Sequence, residues 1–390
     1  MTKDFFPVCL FSRDGIKYMP ILDKKYKTSK AKGLCNQLFA LINGINKAKR
    51  NNKKFVVIDS FLRCIVRCKI CPISSIFDLD EMSKSFGIKI LDRMCLNITI
   101  NSILYGIDDS IIDITDKFRQ IFDNDQKIII KKTVNLNKTF GDPCFRRKKK
   151  IYIKYSINNT PYELSIDEYG GYLLTDINFD VNYIKCEMWN NSITSFCWYN
   201  PEKIQEYIND LKKIKFHNNF YKIINILKPN VKNCIHLRLE PDAINHWSKV
   251  NKLSNSNFYN QLSDKYYNLI SNNISDKSEI NLLIHEYNHS IIEKLKQKYN
   301  IKNITVDKSE LIYSHIKYSG REISAIIDLL IGSLCNNIFI GCHSLKYNRG
   351  STFSFILLAL MNNKKNILID LDNISNIEEI HCVNEFISTS

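Results

Sequence analysis

Within Cys234-Ile-His-Leu-Arg-Leu-Glu-Pro-Asp242 a strand-like apolar run gives way to a histidine, an arginine, a glutamate and an aspartate. An arginine at the carboxyl end of a strand can grip two phosphate oxygens in a fork, and its charge persists at any working pH. Glu240, Asp242 and, in the continuation Ala-Ile-Asn-His-Trp247, His246 are candidate general bases beside Arg238. The plainer alternative for the same residues is a surface salt-bridge cluster. A second segment, Phe339-Ile-Gly-Cys-His343, leads through SLKYNRG to Ser351-Thr-Phe-Ser354 at the start of a helical pattern. Strand, glycine-containing loop and hydroxyls at a helix mouth suit a phosphate, because backbone N–H groups and the helix dipole favour an anion there. Ser351 can equally cap its helix, and the two roles are compatible. Gly33-Leu-Cys-Asn-Gln37 repeats the glycine-then-polar pattern at another helix start.

The elements that must position these residues are legible from periodicity. Leu38, Leu41, Ile42, Ile45 and Ala48 recur at helical spacing, KRNNKK ends that helix, and Phe55-Val-Val-Ile-Asp59 reads as a buried parallel strand. Between 60 and 225 the pattern weakens to short strands such as KIIIKK and IYIKYSI, the turn Tyr169-Gly170-Gly171, and a helix around 201–214. The C-terminal part is more regular. Strand-like runs at Asn233–Leu237, Ile280–Ile284, Ile304–Val306, Ile338–Ile340 and Asn366–Asp370 alternate with helical patterns over 256–270, 289–299, 322–335 and 351–361. Alternation of this kind predicts an α/β fold with a parallel sheet covered on both faces, whose ligands bind beyond the carboxyl ends of the strands. The expected division is an N-terminal α/β domain over 1–225, with a β-rich insertion over 125–185, and a nucleotide-binding domain over 226–390. The three polar segments come from both domains, so a cleft between them is the expected ligand site.

HLRLEPD resembles the His-x-Arg signature of the fucosyltransferase superfamily that includes protein O-fucosyltransferases and α-1,6-fucosyltransferases. GLCNQLFALINGI is similar to that family's Gly-x-x-Asn-Gln loop and helix. Ser324-Ala-Ile-Ile-Asp-Leu-Leu330, leading to IFIG and STFSF, is similar to its third motif. Order and spacing agree from 33 to 361, while 60–225 carries none of the likeness. The resemblance implies a GT-B fold of two Rossmann-like domains facing a central cleft. It also implies inverting transfer to a hydroxyl of a protein or glycan acceptor, without an essential metal or other cofactor. The donor would be a GDP-sugar, GDP-fucose in most members, although a related branch uses a UDP-sugar to transfer rhamnose. Carried onto this chain, it gives Arg238 the pyrophosphate and departure of the nucleotide. His236 would lie against the nucleoside, mainly through its backbone, and Asp328 would meet the guanine or ribose. Ser351 and Thr352 would meet the phosphates, with Gly33 and Asn36 approaching the pyrophosphate from the opposite domain. The stretch between Gly341 and Ser351 is longer than the family pattern leads one to expect.

Composition is compatible with this picture. A chain of 390 residues, 44% hydrophobic and 24% charged, can bury two cores. A formal charge of +15 favours an anionic partner, although the Lys, Asn and Ile enrichment also follows from an A/T-rich coding bias. The run Arg146 to Lys150 (RRKKK) lacks interleaved aromatics and is expected to be a solvated loop rather than a nucleic-acid contact. No segment has the length of a membrane span or the pattern of a secretory signal, and 13 cysteines fit reduced thiols in a cytoplasmic setting. Two motifs point elsewhere. His285-Glu-Tyr-Asn-His289 matches the zinc-peptidase pattern, with Glu310 as a conceivable third ligand, but it follows the strand-like INLLI rather than lying within a helix. Cys64, Cys68 and Cys71 match an iron–sulfur spacing that a cysteine-rich chain reaches by chance. A binding module that keeps the nucleotide site without transfer is the non-enzymatic alternative.

Overall fold

A computed structural model of the chain describes residues 5–8, 10, 33–64, 69–124, 127–174, 177–180, 203–284, 287–344, 349–361 and 365–380. It is an α/β protein in which two parallel sheets are joined through shared helices. The N-terminal sheet has three parallel strands in the order Phe5–Val8, Phe55–Ile58, Lys89–Asp92. Helix Leu34–Arg50 packs on one of its faces.

The C-terminal sheet has seven strands. Across it lie Asn300–Lys302, Glu279–Leu283, Asn233–His236, Ile338–Ser344, Lys365–Ile369 and Ile377–Ile380, the last antiparallel, and the seventh, Arg349–Gly350, pairs with Ile338–Ser344 off that path. The chain therefore lays down its first three strands in one direction, then returns to the other side of the first. Asn233–His236 and Ile338–Ser344 flank the point where the order reverses, the place where doubly wound sheets leave a crevice for a ligand.

Strand side chains alternate between two cores, as a sheet buried on both faces requires. Ile235, Leu282, Ile340 and Ile367 face helices Pro241–Val250 and Asn255–Asn273. Cys234, Leu283, Phe339 and Leu368 face the core shared with helix Leu34–Arg50 and with helices Arg321–Ser333 and Thr352–Leu360. Phe39 of the first helix meets Tyr207 at 4.7 Å and Phe355 at 6.2 Å between ring centroids, so one apolar cluster spans both lobes.

The antiparallel region begins earlier than its expected 125, at Ile98. Its five strands run Tyr172–Leu173, Thr160–Tyr169, Lys150–Ile157, Ile98–Ile107, Ser110–Asp113. Arg146, Arg147 and Lys148 form the exposed turn expected of the basic run, while Lys149 and Lys150 lead into strand Lys150–Ile157. Lys149 is 2% exposed, with its ammonium 3.0 Å from Asp142 and 3.2 Å from Glu168. Arg147 pairs with Asp108 and Lys150 with Asp167. Lys149 alone of the run is buried, and its acidic partners come from the preceding loop and from strand Thr160–Tyr169.

Ile304–Val306 is also not a strand. Asn303 caps a short helix, Ile304–Asp307, by accepting the Val306 N–H, and the edge strand lies just before it. A local cap has overridden the β-branched propensity of Ile-Thr-Val. No described helix is long and apolar enough to cross a membrane.

The two lobes also touch where helix Arg321–Ser333 begins. Arg63 donates to the Ser319 carbonyl at 2.7 Å, and its guanidinium lies 5.5 Å from the Tyr318 ring centre. Gly320, at φ +149°, packs so closely that an added Cβ would lie 2.0 Å from the Arg63 carbonyl oxygen. Gly320→Ala should therefore cost roughly 1–3 kcal/mol of stability, the range for enforced backbone strain. The measurement is the urea midpoint; an unchanged midpoint would contradict this account of the junction.

Candidate functional site

Beyond residue 236 the chain stays extended, and its alternation continues. Leu237 and Leu239 are buried in the core beneath the sheet, while His236, Arg238 and Glu240 turn to the opposite side. The Tyr266 hydroxyl donates to the His236 carbonyl at 2.9 Å and accepts the Arg238 N–H at 3.4 Å, pinning the strand end. Pro241 then opens a helix and places Asp242 in its first turn. Arg238 is thus gripped from two sides: Nη1 lies 2.6 Å from Glu240 and Nη2 donates to Asp242 at 2.9 Å.

Burial works against the guanidinium charge, but the two carboxylates more than offset it and Arg238 stays ionised. Burial likewise pushes the Glu240 carboxyl up, yet Arg238 beside it wins and holds it below its ordinary value. At His236 the Glu240 carboxylate opposes burial but does not outweigh it. Burial lowers the imidazole to about 4, so the ring is neutral near pH 7. It bonds Ser354 at 2.7 Å and packs 4.9 Å from the Phe353 ring. The Tyr266 hydroxyl occupies one of the two lone pairs of the His236 carbonyl.

The opposite wall is a helix mouth. Strand Ile338–Ser344 continues past Gly341, and Arg349–Gly350 returns antiparallel to it, with Gly350 opposite His343. The length between Gly341 and Ser351 is thereby taken up in a hairpin whose residues 345–348 are outside the described set. At φ +136°, a Cβ on Gly350 would meet the His343 Cα at 2.8 Å. The hairpin brings Ser351 back to bond the Cys342 carbonyl through its N–H, and its hydroxyl accepts from Ser354 N–H as the helix cap. Ser351 is therefore a cap, and it also lines the hollow.

The third wall is the start of helix Leu34–Arg50. Gln37 exchanges two 2.9 Å bonds with the backbone of Leu62, fixing the helix on its lobe and leaving Gly33 and Asn36 at the opening. Across the gap, Thr352 bonds the Cys35 thiol, which burial pushes up to about 12.

These walls enclose a hollow of about 350 Å³. Of the residues singled out in the sequence, Gly33, Asn36, His236, Arg238, Glu240, Asp242, Asp328, Ser351 and Thr352 all line it. His246 does not. It lies on the exposed face of its helix, edge-on to Trp247 at 4.7 Å, because Ala243, Ile244 and Trp247 take the inward face. Arg321 and Glu322 line the hollow and were not singled out, since the apolar stripe that marks their helix starts only at Ile323. Among the described residues no group of three His, Cys, Asp or Glu side chains is placed to hold a metal. His289 precedes helix Ser290–Lys296 as its cap residue, so the zinc-like motif does not lie within a helix; His285 and Glu286 fall outside the described residues, as does Cys68. Comparisons with protein-family models, with curated proteins and with solved structures find no match to this chain.

Asp328 is half-buried in the wall of the hollow and accepts a hydrogen bond from Thr305. Burial pushes its carboxyl up to about 7 against the opposing effect of Thr305. An acid raised in this way holds a proton that the unfolded chain releases, so its contribution to stability is present at low pH and lost as pH rises through about 7. Asp328→Asn should gain stability relative to the parent as pH is raised from about 4 to about 8. Melting temperatures across that range check this, and parallel profiles would contradict it.

Proposed function

We propose that this chain is an inverting glycosyltransferase of the GT-B type whose donor is a nucleoside-diphosphate sugar, GDP-fucose being the donor that the motif resemblance favours. The observation that carries the proposal is convergence. A fixed guanidinium, a helix mouth with two hydroxyl residues and a second helix start from the other lobe open on one hollow at the reversal point of a doubly wound sheet. A guanidinium and backbone N–H groups meeting there can hold the oxygens of a diphosphate.

In the proposed reaction, the diphosphate lies between Arg238 and the Ser351–Thr352 helix mouth. An acceptor hydroxyl attacks the anomeric carbon from the face opposite the diphosphate, and the charge that grows on the leaving oxygen is held by Arg238 and the helix dipole. Glu240 and Asp242 keep the guanidinium oriented before the donor arrives, which lowers the cost of organising it during reaction. Asp328, reached through the same hollow, is proposed to accept from the nucleoside. The acceptor, a protein or glycan hydroxyl, enters from the side of the N-terminal lobe.

Arg238→Ala should reduce turnover of GDP-fucose at least ~10²-fold, the scale for removal of one charge-stabilising donor. Release of GDP with wild-type and variant enzyme is the measurement. Near-normal release by the variant would refute the assignment.

A further inference from the structure

We propose that Glu322 is the group that takes the proton from the attacking hydroxyl, an assignment that rests on the glycosyl-transfer reading above. The carboxylates that follow Arg238 in sequence are poorly suited to the task. Glu240 lies within an ion pair at 2.6 Å and Asp242 accepts the other guanidinium nitrogen at 2.9 Å. Moving either carboxylate to take a proton would release the arginine that the leaving group needs.

Glu322 forms no ion pair among the described residues, whereas Glu240, whose Oε2 likewise lacks a hydrogen-bond partner, is held by Arg238. Glu322 lines the same hollow, is 1% exposed, and its Oε2 has no hydrogen-bond partner among the described residues. A buried carboxyl oxygen without a partner is costly unless something occupies its lone pairs during function. Its position also fits. Glu322 lies two residues beyond Gly320, at the contact with Arg63 of the N-terminal lobe, the lobe proposed above to admit the acceptor. Asp328 is six residues further along the same helix, about 9 Å at 1.5 Å per residue. The helix can thus serve the donor at one end and the acceptor at the other.

In the step itself, the acceptor oxygen forms a bond to the anomeric carbon as its proton passes to a Glu322 carboxylate oxygen. The bond from that carbon to the diphosphate oxygen breaks, and its electron pair leaves on the diphosphate beside Arg238. Every atom and electron is then accounted for by acceptor, donor and Glu322.

Burial raises the Glu322 carboxyl to about 7, against the smaller opposing effects of a backbone N–H and Arg321, so the group can both accept and release a proton near neutrality. The other titratable or charged groups on the wall are Arg321 and Asp328 from its own helix and Cys35 from the first helix. The middle strand and the loop after it supply His236, Arg238, Glu240 and Asp242. Asp328 titrates in the same range, so pH data need a variant at each site.

The test is release of GDP from GDP-fucose with water as acceptor, measured across pH for wild type, Glu322→Gln, Glu322→Asp and Asp328→Asn. Each protein's melting temperature is also measured with and without GDP. Glu322→Gln is expected to lose at least ~10²-fold in kcat, the lower end for a general base, while its stabilisation by GDP stays at the wild-type value. Glu322→Asp should recover part of the rate. The acidic limb of the wild-type profile, with its midpoint near 7, should vanish in Glu322→Gln and persist in Asp328→Asn. Wild-type release matched by Glu322→Gln would overturn the role of Glu322 and leave the donor site standing. A wild-type protein that binds GDP but releases none from the donor would overturn the transfer reading and this role together.

Discussion

A guanidinium cannot be taken out of water without compensation, and the site depends on how that compensation is arranged at Arg238. Glu240 and Asp242 reach its two terminal nitrogens from the same stretch of chain, two and four residues further on. The proline between them starts a helix, which turns Asp242 back toward the strand end. Because the side chain remains 22% exposed, the charge is held but not sealed, and one face is open to the hollow. A fully buried pair would have been structural. A fully exposed one would be too mobile to bind a phosphate selectively.

The fold makes that arrangement useful by bringing other elements to it. Reversal of strand order at Asn233–His236 puts the mouth of helix Thr352–Leu360 beside Arg238. The apolar cluster shared by Phe39, Tyr207 and Phe355 draws the first helix over both. Hydrophobic packing between lobes therefore sets the width of a polar opening. The contact of Gly320 with Arg63 does the same at the far end, where helix Arg321–Ser333 carries Glu322 and Asp328 along the wall. Two carboxyls raised by burial and one lowered by an adjacent cation lie in one hollow. Divergent acidities among neighbouring groups allow proton transfer and charge binding to be divided between them.

Much of this was legible in the sequence because it is local. The alternation Leu237, Arg238, Leu239, Glu240 already says that the charged residues share a side, and the strand–helix rhythm after 226 gave the parallel sheet. What escaped was set by tertiary contact. Glu322 precedes the stripe and reads as an ordinary helix-start acid until packing shows it buried. His246 reads as a base beside Arg238, but it lies a full turn further along the exposed face of its helix and does not line the hollow. Lys149 reads as part of a charged loop, and its acids come from Asp142 and from a strand nearly twenty residues away. At Ile304–Val306 a capping asparagine outweighed three β-favouring residues.

The central claim is that Arg238 and the helix mouth bind a diphosphate, and titration calorimetry with GDP and with guanosine tests it most directly. In wild-type protein GDP should bind much more tightly than guanosine. Arg238→Ala should erase most of that difference and leave guanosine binding as it was. Equal affinities for the two ligands in the wild-type protein, or a GDP affinity indifferent to Arg238, would contradict the account.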